Sequence, residues 1–180
     1  MMRRVPTWLG VLILFAITSV ALWFAFIDPN GHKLFTKGVQ GSTAVKLYEG
    51  LPHQMFEANL LAQERQTKPI REIHGYPFYE VPLEPSKQDV ERLSALFGDS
   101  TNFKPFSGEK RCGGFHPDYA VEWQNGQDGY VALICFGCAE AKLFGPGVAS
   151  RHDLTGRADE ALKELLKSHR KNRPDGTLPK

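Results

Sequence analysis

The stretch from Tyr119 to Phe136 constrains the fold more than any other, because it reads as a β-hairpin. Tyr119, Val121 and Trp123 alternate with Ala120 and Glu122, the period of a half-buried strand. Asn125-Gly126-Gln127-Asp128-Gly129 follows, a cluster of turn-forming residues. Tyr130 to Phe136 is then apolar throughout, as in a strand covered on both faces. Pairing Gln124 with Gly129 sets the register. Extended outward, that register puts His116 opposite Gly137 and Cys112 opposite Ala141. Ala139 to Phe144 reads as a continuation of the second strand as far as Gly145-Pro146-Gly147.

Helices and further strands flank the hairpin. Ser86 is a good N-cap with Asp89 three residues on, and Val90, Leu93, Leu96 and Phe97 share one helical face before Gly98. Thr155 can cap a last helix with a stripe of Ala158, Ala161, Leu162, Leu165 and Leu166. Ala44 to Tyr48 predicts a short strand, and Leu51-Pro52-His53 the start of a helix through Phe56 and Leu60. Ile73 to Val81 is β-leaning, with Pro77 suited to an edge. The chain has 180 residues, 42% hydrophobic and 23% charged, which matches one ordinary globular domain. The expectation is an α+β fold: a small antiparallel sheet of three to five strands with two or three packed helices.

Ahead of this lie Arg3, Arg4 and then Val5 to Ile27, a run of 23 uncharged residues. As a helix it would extend about 34 Å, enough to cross a bilayer core. Trp8 stands near one end and Trp23 near the other, as in aromatic belts. Ser19-Val20-Ala21 fits a signal-peptide cleavage site, which would release a secreted protein lacking residues 1–21. Cleavage there would leave Leu22 to Ile27 as an exposed apolar end, so an uncleaved anchor is the expectation. The positive-inside rule keeps Arg3 and Arg4 in the cytoplasm and sends the rest across the membrane. The expected organisation is residues 1–27 as membrane anchor or signal peptide, 28–43 as linker, 44–174 as the α+β domain and 175–180 as a flexible tail.

Without Arg3 and Arg4 the 22 Lys and Arg fall to 20, equal to the 20 Asp and Glu. A neutral domain has no general field for a polyanion, so nucleic acid is not an expected partner. Lys163, Lys167, Arg170, Lys171 and Arg173 form a basic run that reads as a solvated helix end.

The three cysteines, Cys112, Cys135 and Cys138, fall close together with His116. Three readings stay open. Two cysteines form a disulfide outside the cytoplasm and the third is buried or free. Alternatively Cys112, His116, Cys135 and Cys138 hold zinc as a Cys3His site, after a bulge at Gly137 has turned Cys135 and Cys138 to one face. Or Cys135-Phe136-Gly137-Cys138 is a CxxC thiol–disulfide oxidoreductase pair, which would need a helix N-terminus to lower a thiol pKa. His116-Pro117-Asp118 offers an acid–base pair only on a turn, and no phosphate loop, nucleophile elbow or zinc-protease helix is present.

Leu47-Tyr48-Glu49-Gly50-Leu51-Pro52-His53, His74-Gly75-Tyr76-Pro77-Phe78-Tyr79-Glu80, Cys112-Gly113-Gly114-Phe115-His116-Pro117-Asp118-Tyr119, Cys135-Phe136-Gly137-Cys138 and Arg170-Lys171-Asn172-Arg173-Pro174 together resemble a family of membrane-anchored or secreted proteins from planctomycete-like bacteria. The resemblance spans about residues 45–174 and implies no activity. It implies a further cysteine near Arg151-His152-Asp153, where His152 stands instead, so that either a disulfide partner is missing or His152 replaces a thiol as ligand. The functional expectation is a non-enzymatic binding or envelope-structural domain at the bacterial cell membrane. Its partners would be the membrane, through the N-terminal helix, and an unidentified protein or envelope partner.

Overall fold

A computed structural model describes residues 31–42 and 44–174. The chain is α+β, as expected, but its main sheet is larger than the three to five strands read from sequence. In chain order the elements are α1 (Gly31–Gln40), β1 (Ala44–Glu49), α2 (Ala58–Thr67), β2 (Ile70–Ile73), β3 (Tyr76–Tyr79), α3 (Lys87–Phe97) and β4 (Phe103–Pro105). Then come β5 (Tyr119–Asn125), β6 (Asp128–Cys135), β7 (Glu140–Gly145), β8 (Val148–Leu154) and α4 (Gly156–Lys167). Six strands form one antiparallel sheet in the order β1-β5-β6-β7-β8-β4, and β2 and β3 form a separate hairpin.

The central hairpin keeps the expected register, with Gln124 opposite Gly129, Trp123 opposite Tyr130 and Tyr119 opposite Ile134. Its second strand does not run on to Phe144. It stops at Cys135, turns, and returns as β7, with Cys135 opposite Glu140. Gly145 and Val148 then close a further hairpin into β8. The strand β8 was not foreseen, because two of its four buried positions are polar: Ser150 and His152 lie inward with Val148 and Leu154.

One face of the sheet carries α1, α3 and α4. Phe35 and Val39, Leu93 and Phe97, and Leu162, Leu165 and Leu166 pack with Val121, Trp123, Ile134 and Leu143 in one core. Trp123 sits at its centre, its ring 5.0 Å from Phe97 and 5.9 Å from Phe35. The expected caps hold. Ser86 accepts from the Asp89 amide at 3.1 Å, and Thr155 accepts from the Ala158 amide at 3.3 Å. The other face is covered by the β2–β3 hairpin, where Ile73 and Phe78 meet Tyr48, Ala120 and Leu133. Pro77 lies in that two-stranded hairpin, where a missing donor is tolerated.

Residues 28–43, expected as a linker, carry α1. Its Phe35 and Val39 are fully enclosed, so packing rather than propensity makes this glycine-containing helix. The helix expected from Pro52 begins later, at Ala58. His53 occupies the turn before it, and its Nδ1 accepts the Met55 amide at 3.0 Å. The expected anchor (1–27) and tail (175–180) lie outside the described residues. Among the described residues no helix is long and apolar enough to cross a membrane.

Because β4 and β5 stand near opposite edges, residues 106–118 must cross the second face of the sheet. Side chains along this crossing hold it down. Lys110 reaches Asp153 at 2.7 Å and Glu140 at 3.0 Å, and Arg151 bridges Glu109 and Glu140. The crossing ends against Gly50, whose amide donates to the Asp118 carbonyl at 2.7 Å. A Cβ at Gly50 would collide with the Pro117 carbonyl, so only glycine permits this approach.

Candidate functional site

The structure divides the four candidate metal ligands. Cys112, on the crossing segment, meets Cys138, in the β6–β7 turn, as a disulfide pair. The extrapolated ladder fails here, because pairing stops at Tyr119 and the chain before it turns through Gly113 and Gly114 at φ +81° and +88°. Cys135 is the free thiol and is buried. Its burial pushes the thiol pKa up to about 11, the opposite of an activated cysteine. The segment after Cys138 enters β7 rather than a helix, so the helix terminus that a CxxC redox pair needs is not there. His116 packs on His53, ring centroids 4.5 Å apart. Burial first, then the neighbouring His53 and Arg173 charges, drive its pKa down to about 4. Among the described residues no group of histidines, cysteines and carboxylates is arranged to hold a metal ion. With two thiols joined to each other, the Cys3His arrangement is not assembled. His152 lies elsewhere, buried on the helix-covered face with its Nε2 3.0 Å from the Ser150 hydroxyl.

A cleft of about 350 Å³ opens where α4 crosses the junction of β5 and β6. Tyr119 and Phe136 form its apolar walls, with Glu49, Asp118 and Arg173 at its inner end and Lys163, Lys167 and Arg170 along α4 and the turn after it. The cationic run read as a solvated helix end therefore borders a cavity. Lys163, Lys167 and Arg170 are spaced i, i+4 and i+7, one stripe beside the apolar stripe of α4. That spacing was the available signal.

The inner end is a buried ionic lattice. The Arg173 side chain is 2% exposed. It donates to the Asp118 carboxylate at 3.1 Å and to Glu57 at 2.9 Å. Glu49 accepts three successive amides of the returning chain: Lys171 at 3.1 Å, Asn172 at 2.6 Å and Arg173 at 3.1 Å. A single carboxylate thus fixes the path of residues 171–173, and their path delivers the guanidinium to Asp118. The other Asp118 oxygen accepts the Phe136 amide at 2.8 Å. Burial raises the Asp118 pKa to about 6, against the pull of the Phe136 N–H and of Arg173. The Tyr119 hydroxyl donates to the Leu166 carbonyl at 3.0 Å, and burial raises its pKa as well.

Sequence reasoning missed Glu49, Glu57 and Arg173. Glu49 carried one clue: it shares strand parity with Leu47, which places a carboxylate on the face the helices cover. Arg173 carried none. Compared with family models, with curated proteins and with solved structures, the chain matches none.

Proposed function

We propose that residues 31–174 form a non-enzymatic binding domain outside the cytoplasm, tethered to the bacterial cell membrane by residues 1–27, and that binding takes place in the cleft beside α4. The observation that carries this reading is the division of labour in that cleft. Its carboxylates and its tyrosine hydroxyl are engaged by protein donors and acceptors, while its apolar walls face open space. A general base needs an oxygen or nitrogen within reach of substrate. Glu49 and Asp118 are instead directed at amides and a guanidinium. Pockets of this size with apolar walls and a few polar groups are the usual form of small-molecule sites.

Two features support the compartment proposed: the charge-free run after Arg3 and Arg4, and a cysteine pair at disulfide distance, a bond that persists in oxidising surroundings. The test is made in intact cells. Protease added to spheroplasts should remove the domain, and alkylation of the denatured protein should count one thiol before reduction and three after. A protease-protected domain with all its thiols free refutes the assignment.

A further inference from the structure

We infer that the outward face of α1 rests on the lipid surface, with Leu34 in the headgroup layer and Lys33 and Lys37 on anionic headgroups, so that the domain sits at the membrane in one orientation. The inference rests on the tether reading above and goes beyond it. Its basis is a distance along the chain. The charge-free run ends at Ile27 and α1 is in place by Gly31, which leaves Asp28, Pro29 and Asn30 between them. The four steps from Ile27 to Gly31 reach about 14 Å at full extension. The headgroup layer on one side of a bilayer takes up roughly 5–8 Å of that. A helix placed so soon after the anchor lies at the lipid surface rather than at the end of a long stalk.

The helix cannot swing away alone, because it is part of the core. Phe35 and Val39 are enclosed, and the Phe35 ring stands 5.9 Å from both Trp123 and Tyr130. Gln40 donates to the Gly98 carbonyl at 2.7 Å, and Asn125 donates to the Gly38 carbonyl at 2.9 Å. The direction in which α1 faces therefore orients the whole domain.

The outward face has the chemistry of an interface. Lys33, Leu34, Lys37 and Gln40 are exposed at i, i+1, i+4 and i+7, one stripe along the helix. Leu34 is 55% exposed. Lys33 and Lys37 flank it, and among the described residues neither ammonium meets a carboxylate. Between Ile27 and Tyr48 stand Lys33, Lys37 and Lys46 against the single acid Asp28, so the part nearest the anchor is positive although the domain as a whole is neutral. An apolar side chain between lysines suits a helix lying on headgroups, where the lysine stems pack on the apolar layer and the ammonium groups reach phosphate. The β2–β3 hairpin covers the opposite face of the sheet, so exposed Glu72 on β2 stands on the far side.

The full chain is reconstituted in nanodiscs of phosphatidylcholine and phosphatidylglycerol, with a nitroxide at Leu34→Cys in one sample and at Glu72→Cys in another. Cys135 is buried and Cys112 and Cys138 are paired, so the added thiol takes the label. Collisions with oxygen, which concentrates in lipid, are compared with collisions with a water-soluble nickel chelate. The Leu34 label should favour oxygen and the Glu72 label the chelate. In pure phosphatidylcholine, or with Lys33→Gln/Lys37→Gln, the equilibrium constant for seating the Leu34 label should fall about thirtyfold, since each lysine at an anionic surface contributes about fivefold. Two labels equally open to the chelate, in a chain still held by the disc, overturn the docking and leave the tether standing. A Leu34 label in lipid that ignores both lysines overturns the headgroup contact. A chain that elutes free of the discs overturns the tether, and the docking with it.

Discussion

Breaking the Cys112–Cys138 link should destabilise the domain by a calculable amount. The two residues are 26 apart in sequence. In the chain-entropy description, releasing a loop of that length returns about 3.5 kcal/mol of conformational freedom to the unfolded state at 25 °C. Against a domain stability of roughly 5–15 kcal/mol this is a large fraction. For a domain of this size it corresponds to a fall in Tm of about 10 °C. The assay uses Trp123, buried beside Phe35 and Phe97, as the reporter of urea unfolding, with Trp8 and Trp23 replaced by phenylalanine. Cys112→Ser/Cys138→Ser and dithiothreitol-treated wild type should unfold at the same, lower midpoint. Cys135→Ala should keep the dithiothreitol shift, since its buried thiol crosslinks nothing. An unchanged midpoint on reduction refutes the pairing. So does a reduction shift that disappears in Cys135→Ala, which would place Cys135 in the bond.

Three further outcomes follow from the ionic lattice and the histidine pair. Arg173→Met leaves Asp118 and Glu57 buried opposite an apolar side chain and should cost about 3–5 kcal/mol, measured by urea unfolding at pH 7. Glu49→Gln removes the charge from three amide hydrogen bonds, so Lys171, Asn172 and Arg173 amides should exchange with solvent faster while the β5–β6 amides do not. The pH response includes two opposed contributions from this region. Asp118, raised to about 6, contributes stability at low pH that is lost as pH rises through about 6, whereas His116, lowered to about 4, contributes stability above its unfolded value near 6.5 that is lost as pH falls toward about 4. On acidification from pH 7 to 4 the Tm of His116→Asn should therefore fall less than that of wild type, and the Tm of Asp118→Asn should fall more.

Local chemistry made part of this fold readable. The Gln124–Gly129 register follows from a turn cluster between two patterned runs, and α3 and α4 follow from Ser86 and Thr155 ahead of apolar stripes. The unread parts depend on contacts between distant segments. Helix α1 has two glycines and no charge pattern to announce it, and exists because Phe35 reaches Trp123. Strand β8 hides its period behind Ser150 and His152. The Cys112–Cys138 pair needs the crossing of residues 106–118, which no single-segment reading contains. The same limit applies to the cleft. The basic stripe is visible in spacing, but the burial of Arg173 depends on Glu49, more than a hundred residues earlier.

The strand order also has a consequence for how the chain is made. Both outer strands, β1 and β4, precede all four inner strands in the chain. Ribosomal synthesis therefore delivers the edges of the sheet before its centre. Until β5 has emerged, β1 lacks its ladder partner and has only a single bridge, from Leu47 to Leu83, and β4 waits for β8, almost fifty residues further on. A nascent chain of this design travels with unpaired strands, so export in an extended state, or a holding chaperone, suits it better than folding from the N-terminus during synthesis.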